Sequence, residues 1–138
     1  MMEGQSVLDL IRRRTSVRTY DQRPVEQEKL DKLKGFMSAV QNPFGASVRL
    51  ELVEGVSGRL RTYGFIRGAK TFFGGCVKKG GLDMEGFGYA FEQVVLYATA
   101  LGLGTCWLGG TFKRSAFAER LRPVDEYLPA VSPVGYAS

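Results

Sequence analysis

The stretch Gly102-Leu103-Gly104-Thr105-Cys106-Trp107-Leu108-Gly109-Gly110-Thr111-Phe112 decides what kind of fold this chain can adopt. It follows an apolar segment, residues 84–102, in which Phe87, Phe91, Val94, Val95, Ala98 and Leu101 recur at helical spacing. Tyr89, Ala90, Leu96 and Tyr97 widen that stripe. The segment predicts a helix buried nearly all round, with Asp83 as its N-cap and Gly102 as its stop. A dinucleotide-binding fingerprint needs a strand before its first glycine and a third glycine at 107. Here a helix comes first and Trp107 stands in the glycine's place, so that reading fails. Instead, Thr105 to Leu108 predicts a short buried strand running into a double glycine, and Thr111 caps a short helix through about Leu121.

Upstream, Ser6 caps a short helix over 6–14, with Val7, Leu10 and Ile11 at the spacing i, i+3, i+4. Residues 25–40 predict a second helix with Leu30, Leu33, Phe36, Met37 and Val40 along one face. Asn42-Pro43-Phe44-Gly45 signals a turn, and residues 47–53 alternate polar and apolar as a half-buried strand does. Residues 54–70 read as irregular or weakly helical, and Thr71 to Val77 as a second strand weakened by Gly74 and Gly75. Ala130 to Tyr136 reads as a last strand, placed at an edge by Pro133. Long helices among few separated strands point to α+β in one domain, residues 1–138.

The chain of 138 residues contains no histidine, which removes Ser-His-Asp and Cys-His machinery, imidazole bases and His-ligated metals. No metal site is expected. If the chain is an enzyme, a cofactor carries the chemistry. Cys76 and Cys106 stand thirty residues apart in apolar surroundings and read as buried, reduced thiols. Asp83/Glu85 at a helix start and Asp125-Glu126 in a loop read as caps and solvated charges, not as an acid/base pair. Gly68-Ala69-Lys70-Thr71 fails as a phosphate loop because Gly and Lys are not adjacent. No apolar run approaches the 18 or so residues of a membrane span. The first residues do not read as a signal peptide, so a cytoplasmic location and no membrane partner are expected.

The net charge is +5, and residues 12–23 hold five arginines against Asp21 alone, so +4 of it lies in twelve residues. Within them, Arg14, Ser16 and Arg18 alternate and would point one way from an extended backbone. Two guanidinium forks about a hydroxyl suit a phosphate or a flavin edge. A basic helix C-terminus favoured by the helix dipole explains the same residues, and both readings stay open on this segment alone.

Three features occur in order: Arg-x-Ser-x-Arg after the first helix, Gln41-Asn42-Pro43-Phe44 before a strand, and GLGTCWLGG over 102–110. With Tyr63-Gly64-Phe65-Ile66-Arg67-Gly68-Ala69 and Ser132-Pro133-Val134-Gly135-Tyr136, they make residues 6–137 resemble the nitroreductase family of flavin enzymes. The resemblance implies an α+β fold with a central, mostly antiparallel sheet flanked by helices, and a homodimer with FMN at the subunit interface. Arg14, Thr15, Ser16 and Arg18 would contact the phosphate, ribityl or pyrimidine edge. Asn42 would approach the ring, and Leu108, Gly109 and Gly110 would lie along it, with the Gly109 N–H toward N5. Hydride would pass from NAD(P)H through the flavin to a small oxidant such as a nitroaromatic or a quinone. Chains of this family usually continue past the final VGY strand, whereas this sequence stops at Ser138 and is expected to be short there. Two other functions fit the residues: a non-catalytic flavin- or nucleotide-binding protein using the same pocket, and an anion- or nucleic-acid-binding module built on Arg12–Arg18. The nucleic-acid partner is disfavoured because it leaves the aromatic-glycine segment unexplained.

Overall fold

Period-two alternation of apolar side chains along two adjacent strands organises the chain. In a computed structural model, which describes residues 2–138 and Leu60 by its backbone only, β1 (Val48–Glu54) pairs antiparallel with β2 (Thr71–Lys78). Phe73 and Val77 of β2 join Leu50 in one apolar cluster, while Phe72 and Cys76 join Val53 in a second. The sheet is therefore covered on both faces. On one side lie α2 (Gln27–Ala39) and α4 (Asp83–Ala100), through Leu33, Met37, Phe87, Phe91, Val94 and Val95. On the other lie α5 (Arg114–Leu121), through Phe117 and Leu121, and the segment around Ile66. The remaining elements are α1 (Val7–Arg13), the single turn α3 (Gly58–Arg61), β3 (Gly104–Thr105), β4 (Glu126–Tyr127) and β5 (Val131–Gly135). Strand order is β1-β2-β5-β3, with β4 added to β2, and every ladder is antiparallel. This is the α+β architecture, with a mostly antiparallel sheet and flanking helices, that the sequence predicts.

Gly74 and Gly75, which weaken the sequence-based strand, turn out to be what permits β2. A Cβ on Gly75 would lie 2.3 Å from Leu50 Cδ2 and 2.9 Å from Phe87, and one on Gly74 would lie 2.8 Å from Leu121. The strand carries glycine where a helix presses on each face in turn.

Pro133 does not mark an edge. β5 lies between β2 and β3 and is buried along its whole length. The register of β3 and β5, with Leu108 bridged to Val131, puts Pro133 opposite Cys106, where no N–H is available to donate. Ser132 bridges the two strands there: its hydroxyl accepts from Cys106 N–H at 3.0 Å and donates to Pro133 O at 2.8 Å. That interruption shortens the predicted 105–108 strand to Gly104–Thr105 plus the Leu108 bridge.

Other expectations shift locally. Asp83 is the first residue of α4, not its cap; Leu82 holds that place in a left-handed conformation, and the Asp83 carboxylate accepts from Gly80 and Met84 N–H. The helix expected to start at Thr111 starts at Arg114, because the Lys113 N–H is bound to Arg61 O and its extended backbone is the N-cap. Of the α1 stripe only Leu10 is buried, leaving Val7 and Ile11 exposed, as is Leu8 beside them. On α4, Met84 and Tyr89 are also open to solvent, so its first turns are not buried all round. Glu126 lies in β4, not in a loop. Its carboxylate accepts from Arg49 at 2.9 Å, which holds its pKa below the usual carboxylate range. Both cysteines are free and buried.

Candidate functional site

The two motifs that the sequence separates by some ninety residues meet in space. After α1 ends at Arg13 the backbone is extended, and the Val17 N–H donates to Thr105 O at 2.9 Å while Ser16 bridges Thr105. Val17 turns inward: a Cβ on Gly104 would lie 2.9 Å from its side chain, so glycine at 104 is what allows the crossing. Ser16 and Arg18, on either side of Val17, are exposed, and Arg14 is half-buried. The segment then threads between two others. Arg67 N–H donates to Arg18 O at 2.9 Å, Tyr20 N–H to Arg67 O at 2.7 Å, and Asp21 N–H to Tyr136 O at 2.8 Å.

The cations of this region divide into two groups. Arg12 forms an ion pair with Asp9 at 3.6 Å, and Arg13 donates to Thr99 O and to Gln5. Those two tie α1 to itself and to the end of α4. Arg14 and Arg18 have no carboxylate partner among the described residues, and the Arg18 guanidinium lies 5.2 Å from the centre of the Phe65 ring. Phe65 and Arg67 thus belong beside Arg18, a neighbourhood the sequence reading did not assign. Their signal was the segment Tyr63–Ala69, noted only for its resemblance.

Leu108 is buried and bridged to Val131, whereas Gly109 and Gly110 are exposed, and a Cβ on either would meet nothing within 4 Å. Trp107, just before them, leans on Phe91 at 4.3 Å between ring centres and donates from Nε1 to Glu92 at 2.8 Å. Thr15 is exposed. Asn42 is spent on its own turn: Oδ1 accepts from Phe44 and Ala46 N–H, Nδ2 donates to Ala46 O, and a Cβ on Gly86 of α4 would lie 2.8 Å from Oδ1. One amide hydrogen of Asn42 is left for anything else.

Beneath the crossing, Tyr20 Oη and Thr105 Oγ1 are buried with no hydrogen-bond partner among the described residues. Burial, with a smaller contribution from Cys106, pushes the Tyr20 phenol far above its ordinary value, so it stays protonated. The result is a surface with two cations and a hydroxyl at one end and an open double glycine at the other, set on hydrogen-bonded backbone. Such a surface can hold an anion and let a flat ligand approach the main chain.

Comparison with known proteins bears on this surface. The family model described as TM nitroreductase matches residues 6–138. No curated protein matches the chain. Among solved structures, a nitroreductase family protein from Clostridium novyi NT is similar with a TM-score of 0.75 at 18% identity, over 97% of this chain and 86% of that one. A nitroreductase family protein from Clostridium difficile 630 gives 0.75 at 23%, over 97% and 85%. A nitroreductase with bound FMN from Bacteroides fragilis NCTC 9343 gives 0.72 at 20%, over 98% and 90%.

Proposed function

The chain belongs to the TM nitroreductase family, and from that premise we propose that it is an FMN-dependent oxidoreductase of the nitroreductase type, working as a homodimer. The observation that carries the reading is the Val17–Thr105 hydrogen bond and the Ser16–Thr105 bridge, which set the unpaired Arg14/Ser16/Arg18 edge against the strand that leads to Gly109-Gly110. The residues fit the group: two unpaired guanidiniums suit its phosphate or pyrimidine edge, and open glycines suit a flat ring. Arg14, Thr15, Ser16 and Arg18 hold and orient it, Leu108 and Gly110 support the ring, the Gly109 N–H donates to it, and Asn42 offers its one free amide hydrogen. Bound flavin supplies hydride transfer from NAD(P)H to a small oxidant, the chemistry a chain without histidine does not provide. A backbone donor at the ring and a cation at its pyrimidine end favour the reduced, more negative form.

Absorption spectroscopy of the purified protein with and without added FMN tests this. A bound yellow flavin that bleaches with NAD(P)H and recovers with a quinone is the expected result. A flavin that binds but never bleaches would leave a non-catalytic binder. In the Arg18→Ala variant FMN affinity should fall roughly tenfold or more, since a charge-assisted contact contributes about 1.5–3 kcal/mol. An unchanged titration curve would remove the clamp from the site.

The dimer is supported by what a single copy leaves uncovered. Leu8 and Ile11 of α1 are 65% and 53% exposed, and Met84, Tyr89 and Trp107 stand open along α4 and beside the double glycine. Exposed apolar side chains on α1 and along α4 invite association, and a two-fold copy is the commonest cover. Sedimentation at micromolar concentration should give twice the monomer mass. A monomer there would count against both the dimer and a flavin site shared between subunits.

A further inference from the structure

We propose that the cleft between Gly55–Arg59 and Arg67–Lys70 is an anion site of its own, which takes a phosphomonoester carried on a ligand of nucleotide size. It adjoins the Arg14–Arg18 edge through the backbone of Arg67 but includes none of the residues 14–18 in its lining, and it does not depend on the flavin reading. The cleft has a volume of about 530 Å³, within the range of small-molecule sites, and its lining includes Arg59, Arg67 and Lys70 with no carboxylate. None of the three cations is held in an ion pair among the described residues, although acidic partners engage other cations across the surface. Ser57 adds a hydroxyl that makes no capping bond to α3, and Gln22 adds an amide. Three like charges around one concavity repel one another and focus a positive potential into it, so the arrangement is relieved when an anion enters.

The frame that carries the charges is rigid. Val56 N–H donates to Lys70 O at 3.1 Å and Gly58 N–H to Ala69 O at 3.0 Å, which locks the two walls together. A Cβ on Gly58 would lie 2.8 Å from Ala69 O, so the walls meet at van der Waals distance. Buried Thr62 closes the far end: its hydroxyl donates to Gly58 O at 2.6 Å and accepts from Ile66 N–H at 2.9 Å. Arg59 and Arg67 thus project from fixed points on either side, the arrangement that bidentate capture of phosphate needs. A neighbouring cavity of about 370 Å³ shares Gln22, Gly55, Gly68, Ala69 and Lys70 with the cleft. That second compartment is lined by apolar Pro24, Val25 and Leu30, by Arg23, and by the carboxylates Asp21, which accepts from Arg23 N–H, and Glu54, which pairs with Lys34 at 3.5 Å; each carboxylate keeps a lone pair for a hydroxyl. Charge at one end, with apolar surface and hydroxyl-accepting carboxylates at the other, matches a phosphorylated nucleoside better than a bare anion.

Amide NMR of the full chain tests the site, with inorganic phosphate, adenosine monophosphate and adenosine as probes. Saturable shifts at the Gly55, Gly58 and Gly68 amides are expected with the monophosphate, weaker ones with phosphate, and none with adenosine. In an Arg59→Gln/Lys70→Gln variant the monophosphate should bind about tenfold more weakly. A Lys78→Gln/Lys79→Gln variant, which loses the same charge elsewhere, should bind as the parent does. Equal losses in the two variants would reduce the effect to overall charge and overturn the site. So would shifts confined to residues 14–18, or displacement of bound FMN by the monophosphate. If no FMN binds the protein at all, the cleft titration still stands, so failure of one reading is distinguishable from failure of the other.

Discussion

Gly109→Val should abolish flavin binding while leaving the fold intact. The two halves of this expectation rest on different observations. The fold survives because Gly109 is exposed, has no left-handed backbone angle, and a Cβ there meets nothing within 4 Å. A branched side chain enters open space and the melting temperature stays near the parent's. On the proposed reading flavin binding is lost because that open space is where the ring would lie. An added isopropyl group against a rigid planar ligand costs about 3 kcal/mol or more by overpacking, on the order of a hundredfold in affinity. It also holds the ring away from the residue 109 N–H. Gly109→Ala should fall between the two. Thermal melting and an FMN titration on the same samples check both halves. A Val variant that melts like the parent and binds FMN like the parent would put the ring somewhere else.

Much of this was legible in the sequence because the relevant signals are local. The period-two pattern of residues 47–53, the stripe along 25–40 and the apolar run of 84–102 each appear as the element predicted. What failed depends on partners distant in the chain. Nothing near Pro133 announces that the Ser132 hydroxyl links the Cys106 N–H to the Pro133 carbonyl where the ladder lacks a donor. The glycines of β2 look like strand breakers until Leu121 and Phe87 press on them from opposite faces. Thr111 has the chemistry of a cap, but Lys113 is anchored to Arg61, some fifty residues earlier. For the candidate site, the sequence named both motifs, yet only the fold brings Ser16 against Thr105 and sets Phe65 beside Arg18. The division of the arginines was likewise invisible. Arg12, Arg13, Arg14 and Arg18 are chemically alike: Arg12 pairs with Asp9 one turn back in α1, but only the packing of α1 on α4 gives Arg13 the Thr99 carbonyl.

The largest stability effect should come from Gly68→Ala, and a second glycine in the same loop shows why. Gly68 and Gly64 both have left-handed backbones, with φ of 86° and 80°. Alanine in that conformation costs about 1 kcal/mol at either position. At Gly64 the cost ends there, because an added Cβ meets nothing within 4 Å. At Gly68 the same atom would sit 2.1 Å from the carbonyl oxygen of Tyr20, a backbone atom held between the hydrogen-bonded N–H groups of Tyr20 and Asp21. No rotamer relieves that overlap, so residues 66–70 must move off residues 18–20. The bonds from Arg67 N–H to Arg18 O and from Tyr20 N–H to Arg67 O then break, and buried Ile66 and Tyr20 lose their packing. A cost of about 4 kcal/mol or more is expected, in the range reserved for such clashes. That is a fall of roughly 10–20 °C in melting temperature for a domain of this size, against a few degrees for Gly64→Ala. The same displacement pulls Arg18 out of line, so any Gly68→Ala protein that still folds should bind FMN poorly, whereas Gly64→Ala should bind it normally. Equal melting temperatures for the two variants would mean that residues 18–20 and 66–68 do not lie against each other, and the frame that aligns Arg18 with the double glycine would fall with that contact.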